Sequence, residues 1–130
     1  MVKRILVVCT HNSARSQMAE AYLKRFLQGR AEVYSAGTDP RGVHPMARIV
    51  MEEEGYDLST HTSDPIERFL SESWDYVITV CDAARESCPY VPARVNLHVS
   101  FPDPSQGDIE TFREVRRAIR AWAEEFARQI

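Results

Sequence analysis

Four short apolar runs, Ile5–Val8, Glu32–Ala36, Tyr76–Val80 and Val95–Val99, alternate along the chain with segments whose apolar residues recur every three or four positions. Runs of that length between polar segments predict strands, and the three-to-four period predicts amphipathic helices. The first helix is expected over about Ala14–Leu27, with Met18, Tyr22, Leu23 and Phe26 facing the core and Gly29 just past its end. A second is expected over about Pro45–Glu54, with Met46, Ile49 and Val50 inward and Gly55 as its stop. Asp64-Pro65 reads as cap and first turn of a short helix through Leu70. The last helix, about Ile109–Arg128, places Phe112, Val115, Ile119, Trp122 and Phe126 in one stripe, with Trp122 read as core packing. Strands alternating with helices predict an α/β fold: a parallel sheet with helices on both faces. Residues 1–130 carry no repeat, low-complexity tract or linker and read as one domain of three layers.

The first apolar run ends at Cys9-Thr-His-Asn-Ser-Ala-Arg15-Ser16. A buried strand that ends at a nucleophile, followed by a tight loop and at once by a helix, can wrap backbone amides around a tetrahedral oxyanion. Thr10, His11, Asn12, Ser13, Ala14, Arg15 and Ser16 are therefore the expected anion cradle. Arg15 adds a planar fork able to hold two oxygens. The same positive surroundings predict a lowered Cys9 pKa, with thiolate as the attacking species. Ligand sites in open parallel sheets gather at the carboxyl ends of strands, where Cys81 and the segment around Asp103 are also expected.

Composition narrows the classes. A net charge of −3 lacks the excess of basic residues typical of nucleic-acid binders. No apolar stretch approaches the roughly 20 residues of a membrane span, and the opening Met1-Val2-Lys3-Arg4 with Ile5–Val8 is too short for a signal peptide. A cytoplasmic location is expected, where three cysteines point to chemistry rather than a structural staple. Cys81 and Cys88 flank Asp82–Ser87, which can form a short helix, and Cys81 at its start would feel the helix dipole. Seven residues of intact helix separate two α-carbons by about 10.5 Å, beyond the roughly 4.4–6.8 Å of a disulfide. Joining them would require the segment to unwind. Two other readings stand beside this one: small apolar core residues, or a zinc site with Cys9 or His98, whose spacing is unlike a short Cys-x2–4-Cys knuckle. Asp103, in Phe101-Pro102-Asp103-Pro104 after the last predicted strand, is the candidate acid for an oxygen leaving group.

Cys9-Thr-His-Asn-Ser-Ala-Arg-Ser-Gln-Met-Ala-Glu20, together with Cys81-x6-Cys88 and Asp103-Pro104, resembles the thioredoxin-coupled arsenate reductases, which share the low-molecular-weight tyrosine phosphatase fold. The resemblance spans essentially the whole chain and implies a four-stranded parallel sheet of order 2-1-3-4. It implies that Cys9 attacks arsenate held by the loop and Arg15 while Asp103 protonates the departing oxygen, with Ser16 hydrogen-bonded to Cys9. Cys81 would then attack the Cys9 sulfur, releasing arsenite. Cys88 would move the disulfide to Cys81–Cys88, and thioredoxin would reduce it, the chain acting as a monomer in arsenic detoxification. Some relatives bind potassium beside the loop, and the matching positions here are Asn12, Glu20, Ser35 and Asp64. Two positions depart from the family: His11 where many relatives carry Gly, and Ala14 where some carry Cys.

Two rival readings use the same residues. A low-molecular-weight tyrosine phosphatase would need Cys9, Arg15 and Asp103, but the stretch Pro40–Met46 offers no aromatic to stack a phosphotyrosine ring, and a phosphatase has no use for Cys81 and Cys88. Weak phosphatase side activity is expected all the same, since phosphate and arsenate share geometry. A non-enzymatic thiol sensor would use Cys81 and Cys88 and leave Arg15 and Asp103 idle.

Overall fold

A computed structural model describes residues 2–81 and 91–130. Its centre is β1 (Lys3–Cys9), in which Ile5, Leu6, Val7 and Val8 are all fully buried. A strand can lack polar alternation in this way only if both its faces are covered. β1 pairs in parallel with β2 (Ala31–Gly37) on one side and β3 (Trp74–Thr79) on the other, and β4 (Ala93–His98) closes the edge beside β3. The order β2-β1-β3-β4 is the one the resemblance implies. β4 and β3 begin two residues before their expected starts, and Val95 on the edge strand stays exposed.

Helix α1 (Arg15–Phe26) buries Met18, Tyr22 and Leu23 as expected, and Gly29 follows it with φ +80°. It also buries Ser16, Gln17 and Glu20, polar residues that a purely structural helix would keep on its wet side. α2 (Pro45–Glu52) differs from the expected facing. Ala47, Val50 and Met51 are buried, Met46 is half-buried and Ile49 is exposed. At 100° per residue, positions 47, 50 and 51 share one face and 49 falls on the other, so Ile49 does not reach the core. α3 (Ile109–Gln129) lies along α1 and touches α2, with Phe112, Val115, Ile119 and Phe126 buried and Trp122 half-buried. Arg113 and Arg116 of α3 bind Glu53, and Arg116 also donates to the Val50 carbonyl, which ties α3 to the end of α2.

The Asp64-Pro65 expectation is half met. A 3-10 turn runs Ile66–Phe69, but its cap position is Pro65 and no side chain caps it. The Asp64 carboxylate instead accepts from Thr62 Oγ1 at 2.8 Å and Arg68 Nη1 at 3.0 Å, and its backbone joins the site described next. Asp82–Ser87 and Cys88 lie outside the described residues.

Candidate active site

The loop from Cys9 to Arg15 leaves β1 at the carboxyl end of the sheet, and its shape follows from where its carbonyls go. Thr10 C=O accepts from Asp39 N at 2.8 Å, His11 C=O from Arg41 N at 3.0 Å, and Ser13 C=O from His44 N at 2.9 Å. Asn12 C=O accepts from Gln17 Nε2 and Ser63 Oγ. In a planar trans peptide the next N–H points opposite to the carbonyl, so carbonyls turned outward leave the loop amides turned inward, toward a bound anion. At the end of the loop Ala14 offers no side-chain cap, which keeps the first amides of α1 available to that anion.

One residue takes most of the strain. Asn12 is the only non-glycine with positive φ among the described residues, at +47°. Its side chain holds it there: Oδ1 accepts from the half-buried Asp64 N at 2.9 Å, and Nδ2 donates to Ser16 Oγ at 2.8 Å and Ser35 Oγ at 2.9 Å, both buried. Gly37 is equally constrained. A Cβ there would stand 2.7 Å from the Thr10 carbonyl oxygen and 2.9 Å from the Asn12 amide. The sequence singles out residues 37–44 as a prominent loop but not their grip on the Cys9 loop, and it leaves Gln17 and Ser63 without a role. Only Gln17 left a usable signal, as a polar residue on the buried side of α1.

Cys9 and Cys81 are brought together. Both are buried, and their sulfurs stand 3.3 Å apart, Cys9 at the end of β1 and Cys81 two residues beyond β3. Thr10 N donates to Cys81 Sγ at 3.3 Å, and the Thr10 hydroxyl is equally close. This contact corrects the expected lowering of the Cys9 pKa. The Cys9 thiol is pushed up, first by its hydrogen bond to Cys81 and then by burial, while Arg15 and the Thr10 amide pull the other way. Two sulfurs this close share one easily lost proton and hold the second tightly. The Ser16 hydroxyl oxygen accepts from Asn12 Nδ2, which braces the loop and leaves the Ser16 O–H available to donate.

Arg15 and Asp103 meet across the mouth. Arg15 Nη1 donates to the Phe101 carbonyl at 3.1 Å, and Nη2 lies 3.8 Å from Asp103 Oδ2. Burial works to raise the Asp103 pKa, but Ser105 hydrogen bonds, Arg15 and His11 outweigh it and hold the carboxyl below the usual range. His11 donates from Nδ1 to the Asp39 carbonyl at 3.1 Å, and the Asp39 carboxylate is 3.6 Å from the same nitrogen. His98, named in the zinc alternative, pairs with Thr79 Oγ1 at 2.7 Å, and no three His, Cys, Asp or Glu among the described residues form a metal-ligand group.

The four positions matched to a potassium site lie together but do not present free oxygens. Ser35 gives its hydroxyl proton to Glu20, and Lys24 Nζ sits 2.5 Å from the second Glu20 oxygen. Asn12 turns its amide nitrogen toward Ser35 and spends its oxygen on Asp64 N, while the Asp64 carboxylate is neutralised by Arg68. The paired cations are the exposed side chains of Lys24 and Arg68, and Glu20, Ser35 and Asp64 line one polar cavity together with Thr62 and His61.

The model of the low molecular weight phosphotyrosine protein phosphatase family matches residues 4–130. The chain is 43% identical over 98% of its length to arsenate reductase 1 of Staphylococcus epidermidis, and covers 98% of that protein. Among solved structures it is similar to an arsenate reductase in the phosphate binding state, with a TM-score of 0.87, 35% identity and 99% of each chain covered. It is also similar to the YwlE arginine phosphatase from Geobacillus stearothermophilus, with a TM-score of 0.82, 25% identity, and 98% of this chain and 92% of that one covered.

Proposed function

The chain belongs to the low molecular weight phosphotyrosine protein phosphatase family, and from that premise we propose that it is an arsenate reductase whose Cys9, Cys81 and Cys88 pass a disulfide outward to thioredoxin. The observation that carries the reading is the 3.3 Å separation of the Cys9 and Cys81 sulfurs beneath the oxyanion loop. Phosphate-ester hydrolysis needs one nucleophile. A second thiol in contact with it supplies what a two-electron reduction needs.

Cys9 donates its proton toward Cys81 in the resting site; for the attack that proton passes to Cys81, and Arg15 favours the thiolate left on Cys9. Cys9 attacks arsenic(V) of arsenate, held by the loop amides and the Arg15 fork, and one arsenate oxygen leaves as water. Asp103 is the group placed to deliver a proton to that oxygen. It reaches the acid form when the incoming anion takes up the Arg15 charge that now holds it ionised. Cys81 passes its proton to an oxygen on arsenic and, supported as thiolate by the Thr10 amide and hydroxyl, attacks the Cys9 sulfur. The S–As bonding pair stays on arsenic, which departs as arsenite, and a Cys9–Cys81 disulfide remains. Cys88 then attacks Cys81, restoring Cys9 as thiolate, and a dithiol reductant of the thioredoxin type removes the Cys81–Cys88 disulfide. Such a cycle needs a reducing compartment, which supports a cytoplasmic location. A monomer suffices, because every residue named is in one chain. No described helix is long and apolar enough to cross a membrane.

NADPH oxidation in the presence of arsenate, thioredoxin and thioredoxin reductase tests the reading. Sustained turnover is expected for the wild type, at most one equivalent of arsenite for Cys88→Ser, and none for Cys81→Ser, which should keep slow aryl phosphate hydrolysis. Sustained arsenate turnover by Cys88→Ser would overturn the relay. No arsenate turnover by the wild type, with brisk aryl phosphate hydrolysis, would move the assignment to a phosphatase.

A further inference from the structure

The acid loop between β4 and α3 has few ties to the rest of the molecule. Among the described residues, its backbone is held by Phe101 N donating to the Val80 carbonyl at 3.3 Å and by the Phe101 carbonyl receiving Arg15 Nη1 at 3.1 Å. The remaining hydrogen bonds, Ser105 N to Asp103 Oδ1 and Gly107 N to the Pro104 carbonyl, lie within the loop itself. Phe101 is therefore the point at which both catalytic groups are referred to the fold. Its carbonyl takes one arm of the Arg15 fork, and Asp103 follows two residues later across the rigid Pro102.

The Phe101 side chain is buried against α3, and the ring it meets there is Trp122, at 6.0 Å between centroids and 70° between planes. Trp122 in turn stacks on Phe126 at 5.4 Å, and Phe126 meets Tyr76 of β3 edge-on at 5.3 Å. These four rings form a column from the central sheet, along the last two turns of α3, to the acid loop. Edge-to-face contacts of this kind hold orientation as well as bury area. Pure core packing explains Phe126, which is covered by the sheet. It explains Trp122 less well, since that ring lies half-buried at the rim with its edge contact on a loop.

We propose that Trp122 is a positioning residue for the reaction: by seating the Phe101 ring it fixes the carbonyl that aims Arg15 and the height at which Asp103 meets the departing oxygen. It touches neither substrate nor sulfur and acts through Phe101. The inference rests on the functional reading above, in which Asp103 is the acid.

Aryl phosphate hydrolysis gives the cleanest test, because it uses Cys9, Arg15 and Asp103 without the later thiol steps. Trp122→Leu keeps apolar bulk but removes the ring, and Trp122→Phe restores a ring. A misplacement on the order of 1 Å costs up to 100-fold in rate, and a partial loss of seating should lower kcat of Trp122→Leu roughly tenfold, with Trp122→Phe within about twofold of wild type. The discriminating readout is the pH profile. The charged groups acting on Asp103 are Arg15 and His11, and Arg15 helps hold it ionised. Letting the loop drift changes both the burial that raises the Asp103 pKa and the Arg15 charge that lowers it, so the fall in kcat/KM with rising pH moves away from its wild-type position in Trp122→Leu, and Trp122→Phe moves it back. A fall at the wild-type pH in a folded Trp122→Leu variant overturns the proposal whatever the rate, because loss of packing alone lowers activity without moving that limb. If Trp122→Leu does not fold, Trp122→Met is read by the same criterion. A wild type that neither reduces arsenate nor hydrolyses aryl phosphate overturns the parent reading. An active wild type whose limb survives in Asp103→Asn shows that Asp103 is not the acid.

Discussion

Removing Cys81 should leave Cys9 with a single ionisation in place of the two coupled steps of the sulfur pair. With the sulfurs 3.3 Å apart, a second thiolate beside the first costs about 5 kcal/mol at an effective dielectric constant of about 20. That is a factor of a thousand or more in the second ionisation. The first proton leaves readily, because the remaining S–H hydrogen-bonds the new thiolate and Arg15 and the Thr10 amide favour negative charge on Cys9. A Cys88→Ser chain, with two thiols, should thus show one thiolate per molecule by absorbance at 240 nm from neutral to mildly alkaline pH. The second should appear only under strongly alkaline conditions. Cys81→Ala in the same background should show a single thiolate that forms below the ordinary cysteine value of about 8.5. Iodoacetamide modification of Cys9 should follow the same curve. Two thiolates forming independently near that ordinary value in Cys88→Ser would mean that the sulfurs are not coupled, and the shared-proton account of the chemistry would fall with it.

Gly37→Ala pushes a methyl carbon into the Thr10 carbonyl and the Asn12 amide. It should cost roughly 1–3 kcal/mol of stability, and phosphate, which is expected to raise the thermal midpoint of the wild type, should not raise that of the variant. A phosphate-induced rise equal to wild type would show that the loop accommodates the methyl. Glu53 is pushed down to about 2 by its hydrogen bonds to Arg113 and then Arg116. Its folded-state value lies below the unfolded one, so its contribution is present above the ordinary glutamate value of about 4.3 and is lost as pH falls from there toward 2. Thermal midpoints across that window should drop less steeply in Arg113→Ala than in wild type. With Lys24 and Arg68 paired to Glu20 and Asp64, stability and arsenate turnover should be the same in KCl and NaCl at equal ionic strength. A selective gain in KCl would show that potassium finds a place beside them.

Much of this protein was decided within short stretches of chain. Ile5–Val8 is apolar on both alternating faces, which only a central strand can satisfy, and Cys9 through Arg15 joins that strand directly to a helix. The nucleophile and the guanidinium follow from that order of residues, whereas the inward turn of the loop amides also needs residues 39–44, Ser63 and Asp64. The acid loop was legible for the same reason, since Pro102 and Pro104 stiffen the backbone on either side of Asp103. Where a side chain's environment depends on distant chain, local pattern failed. Ile49 looked inward because it is apolar, yet the packing of α2 selects the face bearing Ala47, Val50 and Met51. Asp64 looked like a cap, yet Asn12 and Gly37 recruit its backbone amide and carbonyl. Cys9 read from its own loop as an activated thiol, and only the family resemblance joined it to Cys81. Its true proton affinity depends on Cys81, placed 3.3 Å away by the parallel register of β1 on β3 that sets Val8 beside Thr79. Hydrophobic period and loop chemistry are short-range and can be read from the sequence. Which two sulfurs touch is set by strand register and packing across about 70 residues, and only the tertiary structure decides it.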